Sequence, residues 1–161
     1  METTRHFTVT TYVVNDGATA LHQHERIGKR IPPGGHIDRD ELPHEAAIRE
    51  CIEETGLEPS ICREQESLEG GSGRCLPQPR RQMLYDVNVH DGTVGHQHID
   101  HIFFASVSSR EIDPGPDEAD VDAWDWYTRE ELRKRDLEQD VIELGCAAIG
   151  AVDTSRESTS S

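Results

Sequence analysis

The chain has only two lysines, Lys29 and Lys134, beside 14 arginines, and these 16 basic residues face 32 acidic ones. A formal net charge of -16 repels nucleic-acid backbones and anionic membranes, so neither is expected as a partner. No apolar run approaches the length of a membrane span. The opening METTRHFTVT lacks the apolar stretch of a signal peptide, which makes the cytoplasm the expected compartment. The four cysteines, Cys51, Cys62, Cys75 and Cys146, form no C-x-x-C pair, against both a structural cysteine-zinc site and a disulfide framework. Aromatic residues make up 5% of the chain, and no basic stripe interleaves with them as in a single-strand RNA binder.

What remains is an acidic chain of 161 residues, long enough for one domain with a sizeable core. At molar salt the Debye length shrinks to about 3 Å, and a dense carboxylate surface then costs little in self-repulsion. Arginine in place of lysine fits that solvent, and the composition resembles that of proteins from halophilic archaea. This concerns the medium and says nothing about chemistry.

Residues 7–14, FTVTTYVV, read as a strand, closed by a turn at Asn15-Asp16-Gly17 and answered by a second strand over 18–24. Residues 28–33 read as the closing arm, running into PPGG. A helix is expected from Leu42 to Thr55 with Gly56 as its C-cap. Pro59 onward suits another strand, 64–79 a loop, and 81–90 and 98–107 two further strands joined by DGTVG. An acidic loop over 110–120 precedes a strand at 121–127. Thr128 to Glu131 has capping-box spacing and opens a C-terminal helix that breaks near Asp136 and resumes to about Val152. One domain over 1–152 follows, with 153–161 a polar, disordered tail. Strands before and after the central helix, and a helix at the end, imply a mixed β-sheet flanked by helices.

The central helix carries Glu50, Glu53 and Glu54. At about 100° per residue, Glu53 falls about 60° to one side of Glu50 and Glu54 about 40° to the other. Ala46 shares that face, while Ile48, Cys51, Ile52 and Thr55 lie opposite and are expected to pack on the sheet. Arg49 flanks Glu53. Like charges at this spacing destabilise a helix unless something neutralises them. A hard divalent ion does so with oxygen ligands, and the preceding PPGG segment lets backbone pass close to the same face.

The segment GHIDRDELPHEAAIRECIEETGL, Gly35 to Leu57, resembles the signature of the Nudix (MutT-like) hydrolase family. Gly35, Glu41, Arg49, Glu50, Glu53, Glu54 and Gly56 stand at the signature positions, Leu57 is its final apolar residue, and Cys51 replaces the usual aliphatic one. The resemblance implies an α/β/α sandwich with a loop–helix–loop signature. It also implies a pyrophosphohydrolase that cleaves a nucleoside diphosphate linked to another group X. Glu50, Glu53, Glu54 and the backbone carbonyl of Gly34 would hold Mg2+, with Mn2+ able to substitute. Arg49 would orient Glu53 or Glu54, Glu41 would shape the site, and Gly35 and Gly56 would serve conformation.

The general base is open: Glu111, Asp117, Glu118 and Asp120 lie in the acidic loop, and Glu50 is the first choice as ligand and base together. His22, His24, His36, His96 and His98, with Arg80 and Arg81, are candidates for contacting a small nucleotide-type substrate. Strand periodicity puts His96, His98 and Asp100 on one face. Trp124 and Trp126 read as core. A non-catalytic nucleotide-sensing module and an isoprenoid diphosphate isomerase are the alternatives. The first need not keep three carboxylates; the second needs acid/base residues not identifiable here. Nothing in the pattern chooses between monomer and homodimer.

Overall fold

Two long parallel strands, β1 (Thr4–Asn15) and β7 (Thr93–Ser106), form the spine of the computed structural model, paired from Thr4↔His96 to Val14↔Ser106. The structure describes residues 2–63, 68 and 71–159. On the other edge of β1, β4 (Gly34–His36) pairs antiparallel at Thr8–Thr10, and β2 (Ala18–His24) pairs at Val14 and Asn15. Outward from β2 lie β3 (Lys29–Ile31) and β8 (Trp124–Thr128). Outward from β7 lie β5 (Ser60–Ile61) and β6 (Arg81–His90). All eight strands belong to one mixed sheet.

Two hairpins close on Asp-Gly pairs with positive φ, Asp16-Gly17 and Asp91-Gly92, the pattern that matches strand twist in a two-residue turn. The second turn explains why β7 starts at Thr93 rather than near residue 98: the chain pairs back on β6 at once. Of the loop expected over 64–79, residues 64–67, 69 and 70 lie outside the described residues. Residues 121–123 form a 3-10 turn, so the following strand begins at Trp124 and not Val121.

Helix α1 (Pro43–Thr55) covers one face of the sheet, and α3 (Gln139–Thr159), with the short α2 (Arg129–Lys134), covers the other. The odd residues Val9 and Phe103 pack on Ala46 and Ala47, while Val13 clusters with Cys51 and Trp124. The even residues Tyr12, Val14, Ile102 and Phe104 pack with Leu144, Ala148 and Ile149 of α3. The architecture is an α/β/α sandwich. Thr128 and Glu131 exchange the two hydrogen bonds of the expected capping box. α3 continues past Val152 to Thr159, with the Thr154 hydroxyl donating to the Gly150 carbonyl at 2.9 Å; Val152 belongs to its packed stripe. No helix among the described residues is long and apolar enough to cross a membrane.

Of the four α1 residues expected to pack on the sheet, Cys51 and Thr55 do and Ile48 and Ile52 do not. Ala46, Ala47, Cys51 and Thr55 are buried, whereas Ile52 is 43% exposed and Ile48 half-buried. Small side chains let the helix lie close to β1 and β7. The contact stripe thereby turns toward Glu50 and Glu54, and two of the three glutamates are drawn partly inward.

Candidate functional site

Two glycines of β4 permit close approaches, Gly34 to β1 and Gly35 to α1. A Cβ on Gly34 would stand 2.3 Å from the Val9 carbonyl oxygen, and one on Gly35 would stand 2.3 Å from Glu50 Oε1. The Gly34 amide donates to Glu54 Oε2 at 2.7 Å. Burial pushes the Glu54 carboxyl up to about 8, reinforced by Glu50, Glu118 and Glu53 and opposed by the Gly34 amide. Burial also raises Glu50, against the pull of Arg49.

Arg49 organises the outer side. Its Nε and one terminal nitrogen grip both oxygens of Glu41 at 2.6 and 2.8 Å, a bidentate pair. The other terminal nitrogen donates to Glu50 Oε1 at 3.0 Å and Glu53 Oε2 at 3.2 Å. Arg49 also donates to the His36 carbonyl at 3.1 Å, tying β4 to the helix. Its hydrogen bond holds the Glu41 carboxyl below the usual range, and Glu41 in return raises the guanidinium further. Of the two glutamates expected as its partner, Arg49 reaches Glu53, while Glu54 belongs to the Gly34 amide; Glu41, its foremost partner, is an addition.

The acidic loop is pinned onto the end of α1. The Asp113 amide donates to the Thr55 carbonyl and the Gly115 amide to the Glu53 carbonyl, both at 2.8 Å, satisfying carbonyls the helix leaves open. Gly56, at φ 72°, ends the helix beneath this loop; a Cβ there would meet the Asp113 carbonyl oxygen at 2.4 Å. The docking carries Glu118 to the cluster. It is half-buried, and burial, then Glu53 and Asp117, raise its pKa. The other three loop candidates sit differently. Asp120 caps the 3-10 turn by accepting from the Val121 amide at 2.8 Å, Asp117 is exposed at φ 67°, and Glu111 is exposed beside Ser109.

The histidines divide into two sets. His22 is 4% exposed and stacked on Trp124 with ring centroids 4.5 Å apart, so it belongs to the core, and His24 accepts from the Ile27 amide. His36, His96 and His98 meet on the sheet with His6, which a strand beginning at Phe7 leaves out. A strand begun at Thr4 would have put His6 in phase with Thr8. Arg80 lies over the Phe104 ring at 5.4 Å, and Arg81 donates to the Arg80 carbonyl. Trp126 is half-buried and donates its indole N–H to the Arg110 carbonyl.

Among the described residues, the ligand-type side chains drawn within 4.8 Å of one another are His6, His96 and His98, and the glutamates do not form such a triad. Arg49 and the Gly34 amide hold those carboxylates apart, as like charges require. Their chemistry nevertheless fits a hard cation. The donors are all oxygen, and Glu54 is a partly buried carboxyl among other carboxylates, whose ionised form a divalent ion would stabilise.

A NUDIX domain model matches residues 4–144. Among solved structures, a NUDIX-family hydrolase from Clostridium perfringens is similar at 29% identity and a TM-score of 0.77, covering 92% of this chain and 98% of that one. A MutT protein from Methanosarcina mazei Go1 shares the fold at 17% identity and TM-score 0.61, over 97% and 98% of the two chains. A mutator MutT protein from Bacillus halodurans does so at 16% and 0.61, over 89% and 82%. No protein in the curated set matches this sequence.

Proposed function

Because the chain belongs to the NUDIX family, we propose that it hydrolyses a phosphoanhydride bond in a nucleoside diphosphate linked to another group. The observation that carries this reading is the anchoring of the α1 glutamates, Glu54 by the Gly34 amide and Glu50 and Glu53 by Arg49. Glu50, Glu53 and Glu54, with the Gly34 carbonyl, would hold Mg2+ or Mn2+. When bound, such an ion acts as a Lewis acid toward a phosphoryl oxygen and acidifies water.

The protein's own groups do the rest. Gly34 lets β4 lie against β1, where a Cβ would meet the Val9 carbonyl oxygen, and Gly35 leaves room for the Glu50 side chain of α1. Arg49 fixes Glu50 and Glu53 while leaving Glu54 to the Gly34 amide, so the carboxylates are set before substrate arrives. Glu118 is favoured over the other loop acids as acceptor of the proton from the attacking water. Burial and its acidic neighbours make it more basic than an exposed carboxylate, with Glu50 the second choice. The acidic surface belongs to the same reading, as that of an enzyme working in concentrated salt.

The test is a panel of nucleoside triphosphates, ADP-ribose and dinucleoside polyphosphates with Mg2+ or Mn2+, at low and multimolar KCl, with products identified. Turnover that needs the metal and falls by about two to three orders of magnitude in Glu54→Gln supports the proposal. No metal-dependent turnover anywhere in the panel, with nucleotide still bound, would instead make the chain a sensing module.

A further inference from the structure

We propose that His6, His36, His96 and His98 form a second metal site, selective for a borderline transition ion of the Zn2+, Co2+ or Ni2+ class. It is separate from the carboxylate cluster. Three strands supply it: His6 from β1, His36 from β4, and His96 and His98 from β7. Parallel pairing sets His6 opposite His98, and antiparallel pairing sets His36 opposite Thr8, two residues along. Four of the ring pairs meet edge to face, with centroids 4.5 Å apart for His6–His96, 5.2 Å for His6–His36, and 5.1 Å for both His36–His98 and His96–His98. The ligand nitrogens of His6, His96 and His98 all lie within 4.8 Å of one another. Tetrahedral zinc with bonds of about 2.0–2.1 Å needs a somewhat tighter set, within reach of small side-chain rotations on an exposed or half-buried surface.

The site and the carboxylate cluster occupy opposite faces. His6 and His98 are in phase with Tyr12 and Phe104, which pack on α3, while Glu50 lies against the α1 side beneath Gly35. Donor chemistry separates them too. Imidazole suits transition ions, and a hard ion such as Mg2+ prefers oxygen.

An outer partner is already in place. Thr4 Oγ1 is 2.8 Å from His96 Nδ1 and 3.2 Å from the Gly95 carbonyl oxygen. When Thr4 gives its single proton to that carbonyl, His96 Nδ1 must donate to Thr4. The lone pair is then on Nε2, as metal-binding histidines with an oriented second nitrogen require. An ion here would join β4 to β1 and β7, and β4 runs directly into the loop that Arg49 ties to the helix.

The experiment titrates the metal-free full chain with Co2+ and Zn2+ in excess Mg2+, reading calorimetry, Co2+ ligand-field absorption and thermal melting. One Co2+ is expected per chain, without a thiolate charge-transfer band, and it raises the melting temperature. Binding should survive in Glu54→Gln and weaken about 100-fold in the His96→Gln/His98→Gln double variant. His6→Gln, at an exposed position, should weaken binding while leaving the metal-free melting temperature unchanged, which covers the case where the double variant misfolds. Undiminished affinity in His6→Gln, displacement by Mg2+, or a thiolate band from Cys62, Cys75 or Cys146 overturns the proposal. None of these readouts uses turnover, so the result stands apart from the hydrolase reading.

Discussion

A methyl group at position 35 and one at position 56 are equally small, yet the structure assigns them different consequences. At Gly35 the obstacle is the end of the flexible Glu50 side chain, which can swing away and take its carboxylate out of the cluster. Gly35→Ala is therefore expected to keep most of its stability and lose turnover by at least about tenfold. At Gly56 the obstacle is the Asp113 backbone, and φ is 72°. Gly56→Ala should cost more than about 1 kcal/mol in chemical denaturation, because neither the left-handed conformation nor the loop can yield cheaply. A Gly35→Ala enzyme with full turnover would show that Glu50 need not stay where the glycine lets it lie. His22 gives a pH prediction at the same scale. Burial, and secondarily His24, lowers it to about 4, so the folded state keeps it neutral where an unfolded chain would protonate it. Stability should be intact above pH 6.5 and fall steadily toward pH 4, by up to about 3 kcal/mol from this group. His22→Phe should flatten that part of a pH series of denaturation curves.

At the scale of elements, Arg49 joins three pieces: the Glu41 turn, β4 through the His36 carbonyl, and α1 itself. Lysine cannot reproduce its fork, so Arg49→Lys should lower stability by about 1–3 kcal/mol and turnover together. Unchanged melting would mean that the Glu41 pair is only a surface contact. The glutamate arc of this helix was legible in the sequence, because three glutamates at this spacing must share a face whatever the helix packs on. Which side met the sheet was legible only in part, through Cys51 and Thr55. Ile48 and Ile52 outrank Ala46 and Ala47 in hydrophobicity, but close approach to β1 favoured the small residues. Glu118 could not be told from Glu111, Asp117 or Asp120 for a related reason. The loop takes its shape from Asp113 and Gly115 amides bonded to carbonyls 58 and 62 positions earlier in the chain, at Thr55 and Glu53. The histidine cluster depends in the same way on β1 lying parallel to β7 across some 90 residues of sequence.

For the molecule as a whole, the governing quantity is the net charge of -16 on 161 residues. Among the described residues, the ion pairs away from Arg49 include exposed contacts such as Lys29–Glu138 and Lys134–Glu130, worth little individually. Repulsion among the remaining carboxylates works against the folded state, where they are closer together than in the unfolded chain, and salt weakens that repulsion as the screening length contracts. The denaturation midpoint in urea is thus expected to rise steadily from 0.1 M toward molar KCl. Most of the rise belongs at the low end if screening alone is responsible, since the Debye length falls fastest there. A further rise between 1 M and 3 M, where charge is already screened to about 3 Å, would signal that the surface also gains from ions at high concentration. A midpoint independent of KCl over the whole range would remove salt adaptation from the account and leave the acidic composition as a matter of solubility.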